Sequence, residues 1–178
     1  MTCRIEYFKM KEKSWYSIER VEGMRISFDL DDTLFVPKEK FKTEPPLKIP
    51  FCIMYKERLR LGTVELMKYI RSQNIELWIY TTSYRSEYYI RGLFRCYGIK
   101  LDCVVNGEKH ANEVQAGHKE GMPSKYPSKY RIDLHIDDDI SVAQNGKIYG
   151  FHVLLVGSQD DCWVDKVVKE IERIKRFS

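Results

Sequence analysis

The sequence lacks the features that identify membrane, secreted and nucleotide-binding proteins. No apolar run approaches the roughly 18 residues that span a bilayer, and the first 13 residues contain no apolar segment typical of a secretory signal. Neither a GxxxxGK phosphate loop nor a GxGxxG motif occurs. Nucleotide-dependent kinase and dinucleotide-binding functions therefore have no support in the sequence.

Cysteine is sparse and charge is nearly balanced. The five cysteines lie far apart without a CxxC pair, which argues against a disulfide framework or a zinc site and favours reduced thiols. Without a secretory signal, we expect a cytoplasmic protein with no membrane partner. The net charge of +4 is too small to indicate a nucleic-acid partner, and the oligomeric state stays open.

What the chain does contain is an alternation of apolar runs and amphipathic stripes. Its 178 residues suit a single domain over 1–178. Apolar runs predict buried strands, and apolar residues at helical spacing predict helices between them. The predicted strands are 25–30, 75–80, 132–136 and 150–156, with a weaker one at 101–105; the predicted helices are about 56–72, 85–97 and 164–174.

This alternation predicts an α/β fold, a three-layer Rossmann-like parallel sheet with helices on both faces. Two segments fit the pattern less well. Residues 1–23 are an N-terminal extension of uncertain structure, and the proline-rich segment 35–50 is predicted to be an extended loop that can act as a flap. Sheets of this kind bind ligands at the carboxyl ends of their strands, so the residues after each apolar run are the informative ones.

Acidic residues follow two of the predicted strands. Asp29, Asp31 and Asp32 come after the first strand, and Asp137 and Asp138 after the fourth. Carboxylates packed together repel one another unless a cation intervenes, and a set of oxygen ligands suits Mg²⁺. Solvated acidic turns and helix caps are the structural alternatives.

Polar side chains also follow the other strands. Thr81 and Thr82 come after the second strand, where a hydroxyl by itself is usually a turn or capping residue. Asn106-Gly107 follows the third strand and favours a tight turn, although Lys109 or His110 beside it can also face a substrate.

Taken together, these motifs resemble the four motifs of the haloacid dehalogenase (HAD) superfamily. The residues are Asp29-Leu30-Asp31-Asp32-Thr33, Thr81, an upstream lysine and Asp137-Asp138. The resemblance covers about residues 25–140 and keeps the order and spacing of the motifs. It implies a HAD-like fold and a phosphatase or phosphotransferase rather than a dehalogenase.

The resemblance also implies residue roles. Asp29 is the nucleophile that forms an aspartyl-phosphate, and Asp31 is the general acid and then the general base. Thr81 binds a phosphoryl oxygen. Mg²⁺ is held by Asp29, the carbonyl of Asp31 and Asp138, with Asp137 acting through a water or in exchanged roles with Asp138. Further candidate substrate contacts are Thr33, Thr82, Asn106 and Lys129.

The lysine of the third motif is not fixed by the sequence. Lys109, Lys119, Lys125 and Lys129 all precede Asp137. We favour Lys125, because it lies shortly before the fourth strand in a lysine-x-proline context that recurs in the superfamily. Lys119 and Lys129 stay open as alternatives.

The gaps between the motifs are too short for a folded cap domain, so we expect a capless enzyme. About 50 residues separate Asp29 from Thr81, and about 40 separate Thr81 from Lys125. The expected function is a Mg²⁺-dependent phosphomonoesterase acting on a phosphorylated small molecule or macromolecule. A catalytically idle binding module of the same fold and a nucleic-acid end-processing phosphatase are the alternatives; an open site allows the latter, but the charge does not support it.

Overall fold

The structure is a computed structural model that describes residues 23–157 and 160–177. Its centre is one five-stranded parallel sheet with the strand order β3-β2-β1-β4-β5. The strands are β1 (Arg25–Phe28), β2 (Glu76–Tyr80), β3 (Cys103–Val105), β4 (Leu134–Asp137) and β5 (Val153–Leu155). Every predicted strand is present, and each is shorter than its apolar run.

The helices fill the connections between the strands. They are α1 (Phe51–Met54), α2 (Thr63–Ser72), α3 (Glu87–Cys96), α4 (Gly107–His110), α5 (Ile140–Tyr149) and α6 (Trp163–Phe177). A π-helical turn (Ala111–Gln115) follows α4, and a 3₁₀ turn (Pro127–Tyr130) precedes β4. Right-handed crossovers place α2 and α3 on one face of the sheet and α5 on the other, which confirms the predicted three-layer α/β fold.

Alternate residues of the strands build two different faces. One face is apolar and packs under α2, α3 and α6 in a single hydrophobic cluster. The other face carries polar and aromatic side chains. The apolar set from the three central strands is Ile26, Phe28, Leu77, Ile79, Leu134 and Ile136, and the polar set includes Ser27, Tyr80, His135 and Asp137.

Helix α2 begins seven residues later than the sequence predicts. Leu59 pairs with Phe35 in an isolated bridge, so the chain before the helix is extended. Gly62 then adopts φ 90°, a left-handed conformation that favours glycine. The carboxylate of Glu44 accepts hydrogen bonds from the N–H groups of Gly62 and Val64, both at 3.0 Å, and so caps the start of α2.

The predicted flap segment is a loop, but it is anchored at several points. Phe35 is buried and stacks on Phe94 with ring centroids 6.1 Å apart. Thr43 bridges to Arg60, and Glu44 caps α2. No folded cap domain occurs among the described residues between β1 and β4, as expected from the gap lengths. The predicted extension 1–23 lies outside the described residues except for Gly23.

None of the described helices has both the length and the apolar character needed to cross a membrane.

Candidate active site

The acidic motifs meet where the sheet reverses its strand order. β1 and β4 are neighbours there, and the N–H of Asp29 donates to the carbonyl of Ile136 at 2.9 Å. Asp29 directly follows β1, Asp137 ends β4, and Asp138 comes next. A reversal point of this kind forms a crevice at the carboxyl ends of the strands, where α/β proteins bind ligands.

Lys125 joins the two buried carboxylates of this crevice. Its Nζ donates to Asp29 Oδ1 at 2.7 Å and to Asp137 Oδ2 at 2.6 Å. Lys125 is only 4% exposed, and both aspartates are buried as well. Burial by itself would lower the pKa of Lys125, but the two carboxylates outweigh it and raise that pKa. The lysine is therefore a fixed positive charge inside the site.

A second pair of side chains supports Asp137 from the polar face of the sheet. His135 Nε2 lies 2.9 Å from Asp137 Oδ2, and Ser27 Oγ lies 2.8 Å from His135 Nδ1. Burial lowers the pKa of His135, so the ring is neutral and has one N–H. With Nε2–H donating to the carboxylate, Nδ1 accepts from the Ser27 hydroxyl. Because the ionised carboxylate of Asp137 can only accept, it places the proton on Nε2, and the Ser27 hydroxyl then satisfies Nδ1.

The pKa values of the two buried aspartates are shifted in opposite directions. Burial, reinforced by the charge of Asp137, raises the pKa of Asp29 to about 7, although Lys125 opposes the shift. Burial also acts on Asp137, but the hydrogen bond from His135 and the charge of Lys125 overcome it and lower that pKa to about 2. Asp137 is a permanent anion, whereas Asp29 needs additional positive charge to stay ionised at neutral pH.

Three carboxylates are close enough to hold one cation. Ligand oxygens from Asp29, Asp137 and Asp138 all lie within 4.8 Å of one another. Both oxygens of Asp137 already accept hydrogen bonds, Oδ1 from Asp139 N–H and Oδ2 from Lys125 and His135. Asp138 is exposed, and Thr33 Oγ1 donates to one of its oxygens at 2.9 Å. This donor set fits Mg²⁺, with Asp29 and Asp138 the more accessible ligands.

Asp31 lies at the edge of the site and is paired with a cation. Arg85 Nη1 donates to Asp31 Oδ2 at 2.9 Å, while Arg85 Nε donates to Glu57 Oε1 at 3.1 Å. The guanidinium also lies 5.4 Å from the ring centroid of Phe35. The side chain of Asp31 is half exposed, and it lies two residues after Asp29 in the chain.

The residues after β2 and β3 are packed against each other. Thr81 is buried, and its Oγ1 accepts the N–H of Ser83 at 3.1 Å. Asn106 caps α4 by accepting Lys109 N–H and donates to the carbonyl of Arg85, both at 3.0 Å. A Cβ on Gly107 would lie 2.5 Å from the carbonyl oxygen of Thr82, so only glycine permits this close approach. Thr82 is exposed.

The other candidate lysines have different surroundings. Lys129 Nζ contacts the carbonyl of Glu113, and Lys109 Nζ lies 3.5 Å from Cys103 Sγ. Lys119 is exposed in the loop after α4. Of the four candidate lysines, the structure places Lys125 on the buried carboxylates, whereas a substrate contact by Lys129 stays a prediction.

Tyr80 hydrogen-bonds to the segment that carries Lys125. The Tyr80 hydroxyl accepts the N–H of Tyr126 at 2.8 Å and lies 2.7 Å from His110 Nδ1. His110 is buried, so it supports this segment. Tyr80 ends β2 on the polar face of the sheet, where Trp78 also lies.

Sequence reasoning did not identify Arg85, His135 or Ser27 as parts of the site. His135 interrupts the apolar run Leu134-His135-Ile136, and a polar residue inside a buried strand requires a partner. That signal pointed to a structural hydrogen bond, without naming Asp137 as the acceptor. The only sequence signal for Arg85 is that a cation lies near a strand end, four residues after Thr81.

Neither a comparison with protein-family models nor a comparison with curated proteins gives a match. The chain is similar to several solved structures, including a HAD-superfamily hydrolase (subfamily IA, variant 1) from Geobacter sulfurreducens PCA. That likeness has a TM-score of 0.48 at 12% identity, covering 75% of this chain and 89% of the other.

Two further similar structures are a chain of the Pnkp1/Rnl/Hen1 RNA repair complex and D,D-heptose 1.7-bisphosphate phosphatase from B. bronchiseptica, complexed with magnesium and phosphate. The first has a TM-score of 0.49 at 15% identity and covers 83% of this chain, which spans about half (47%) of the other. The second has a TM-score of 0.45 at 11% identity, covering 83% of this chain and 99% of the other. A function is therefore proposed from the residues of the site.

Proposed function

We propose that the chain is a HAD-type, Mg²⁺-dependent phosphohydrolase whose nucleophile is Asp29. The observation that carries the proposal is the buried ion-pair cluster in which Lys125 contacts both Asp29 and Asp137. A carboxylate and an ammonium group at this depth are costly to bury and rarely serve stability alone. Their position at the ligand-binding edge of the sheet favours a catalytic role.

In the proposed reaction, a carboxylate oxygen of Asp29 attacks the phosphorus of a phosphate monoester. The new P–O bond forms as the bond to the leaving oxygen breaks, and Asp31 supplies the proton that the leaving oxygen takes up. Asp31 then removes a proton from water, which attacks the aspartyl-phosphate and releases inorganic phosphate. Asp29 and Asp31 return to their starting states, so no other reactant is needed.

Lys125 and Thr81 have supporting roles in this proposal. Lys125 favours the ionised form of Asp29 and offsets charge on the transferring group, while the Thr81 hydroxyl donates to a phosphoryl oxygen. When bound by Asp29, Asp138 and the carbonyl of Asp31, Mg²⁺ supplies the positive charge that reduces repulsion between an anionic nucleophile and an anionic phosphate. His135 acts through Asp137 and is a positioning residue.

The test is hydrolysis of p-nitrophenyl phosphate with Mg²⁺ and with excess chelator. We expect turnover only with the metal, and a loss of at least about 10³-fold in kcat for Asp29→Asn. A matched control exists in the same motif. Asp32 has φ 59°, a conformation that asparagine adopts readily, so Asp32→Asn removes a neighbouring carboxylate without backbone strain and is expected to keep kcat within a few-fold.

Two outcomes would refute the proposal. One is the absence of Mg²⁺-dependent turnover, which would favour the idle binding module. The other is an Asp29→Asn variant that keeps the activity of the parent protein, because hydrolysis would then proceed without this nucleophile.

A further inference from the structure

A cleft of about 450 Å³ opens beside Asp31. Asp31, Phe35 and Arg85 form one part of its wall, and Lys38, Lys56 and Arg58 contribute the cations of the remainder. We call this space the Asp31 cleft. If Asp31 transfers a proton to the leaving oxygen, the leaving group must lie within reach of its carboxylate. The Asp31 cleft has a volume typical of small-molecule sites and is thus the space available to that group.

The carboxylates of the Asp31 cleft are largely engaged by other residues. Arg85 pairs with both Asp31 and Glu57, and Tyr89 also donates to Glu57. Glu39 is the third carboxylate that lines the cleft. Arg85 offsets only one of the two negative charges beside it, but the lining as a whole has four cations and three carboxylates and so a net charge of +1.

Three cations of the cleft have no ion pair or hydrogen bond from their side chains within residues 23–157 and 160–177. They are Lys38, Lys56 and Arg58. Exposed lysines are commonly just solvated, but Arg58 is half-buried. Its carbonyl accepts the N–H of Val36 at 3.0 Å, so its backbone is fixed in the extended segment before α2. An arginine held in this way in the same cleft as the proposed acid residue is suited to bind an anion.

We propose that the Asp31 cleft binds a leaving group that carries a second phosphate. This inference rests on the proposed phosphohydrolase function and assigns a substrate class to it. The transferred phosphoryl group lies at Asp29, while the second phosphate lies among Arg58, Lys56 and Lys38. A guanidinium binds phosphate through two parallel hydrogen bonds, and lysines add point charges. The second phosphate belongs either to a small bisphosphate or to the phosphodiester next to a terminal phosphate in an oligonucleotide.

Competition against p-nitrophenyl phosphate turnover tests the proposal and distinguishes the two sources. One pair of competitors is glucose 1,6-bisphosphate and glucose 1-phosphate; the other is a dinucleotide with a 3′-phosphate and a nucleoside 3′-monophosphate. We expect the member with the second phosphate, in at least one pair, to have an inhibition constant about tenfold or more lower than its partner. A preference in the first pair only indicates a small bisphosphate, and a preference in the second pair only indicates an oligonucleotide end.

Variants then locate the preference in the Asp31 cleft. Arg58→Ala and Lys56→Ala are each expected to reduce the ratio of the two inhibition constants at least about fivefold. Arg95→Ala on α3 and Lys68→Ala on α2 are matched controls, because both residues are exposed and neither lines the cleft. They are expected to leave the ratio unchanged.

Equal inhibition by both members of both pairs would overturn the inference, as would a ratio that survives Arg58→Ala and Lys56→Ala. In either case p-nitrophenyl phosphate is still hydrolysed, and the phosphohydrolase function stands. Absence of Mg²⁺-dependent turnover in the parent protein would instead remove the proposed function and this inference with it.

Discussion

The two faces of the central sheet use the same strands for different purposes. On β1, Ile26 faces the apolar cluster under α2 and α6, while the adjacent Ser27 hydrogen-bonds to His135 on the opposite face. On β4, Ile136 belongs to the apolar face and Asp137 ends the polar one. The apolar face supplies cohesion, and the polar face positions charge. Because adjacent residues of a strand face opposite sides of the sheet, each central strand contributes both to the hydrophobic core and to the proposed site.

The largest effect is expected on the polar side, from Lys125→Met. Loss of the ammonium group removes the ion-pair partner of the buried Asp29 and one of the donors to Asp137, which costs about 3–5 kcal/mol of stability. It also removes a charge next to the proposed nucleophile, so kcat should fall roughly 10²–10³-fold. Thermal unfolding and steady-state kinetics measure the two effects. The same substitution at Lys129 is the matched comparison, and its loss of kcat should be about 100-fold smaller; equal losses would contradict the assignment of Lys125.

Ile26→Ala tests the apolar side. Ile26 is fully buried between neighbouring strands and the helix layer, and such a truncation costs about 2–5 kcal/mol through lost burial and a cavity. Urea unfolding should show this loss, while kcat per folded molecule stays within a few-fold of the parent. A large fall in kcat with unchanged KM would mean that the two faces are not separable.

Magnesium binding should depend on pH because of Asp29. Burial raises the pKa of this group from 3.8 to about 7, so the folded protein keeps a proton that the unfolded chain releases between these values. Its contribution to the free energy of unfolding therefore falls as the pH rises from about 4 to 7. A divalent cation favours the ionised form and compensates for this loss.

We expect Mg²⁺ at about 100 times its Kd to raise Tm by roughly 5–10 °C at pH 8. At pH 5, where Asp29 is protonated, the same concentration should give less than half of that shift. Thermal scans of the parent protein and of Asp138→Asn provide the comparison. An equal shift at both pH values would show that the cation does not bind at Asp29.

Ser27→Ala is expected to have the smallest effect. It leaves the buried His135 Nδ1 without its hydrogen-bond partner, which weakens the positioning of the ring that supports Asp137. The loss of stability should be about 1 kcal/mol, with a decrease of a few-fold in kcat. Ser27→Thr keeps the hydroxyl and should restore kcat. A Ser27→Ala variant with the parent's kcat and pH profile would limit Ser27 to a structural role.

The sequence predicts the sheet well because buried parallel strands are continuous apolar runs. The sequence also predicts that the strand ends lie close together, because the carboxyl ends of parallel strands lie at one edge of the sheet. Helix α5 was missed because its apolar residues do not form one stripe: Ile140 and Ile148 are exposed, and Val142 is buried. The cap that starts α5 is local, with Asp139 accepting the N–H of Ser141 at 2.7 Å.

The site is predicted less completely than the sheet. Asp29 and Asp138 belong to acidic motifs that directly follow predicted strands, so the sequence predicts that they lie close together. Four candidate lysines lie between β3 and Asp137; the lysine-x-proline context favours Lys125, but the path of the loop before β4 is what places it in the cluster. Arg85 is similar: its contact with Asp31 depends on the packing of two loops after different strands, which no local pattern specifies.

Chemical trapping of the intermediate tests the central claim most directly. The parent protein is mixed with substrate and Mg²⁺, quenched in acid within one turnover and digested for peptide mass spectrometry. The account predicts an acid-stable, base-labile phosphoryl group on the peptide that contains Asp29, and its loss in Asp29→Asn. A phosphoryl group on another residue, or rapid turnover with no phosphorylated peptide, would contradict it.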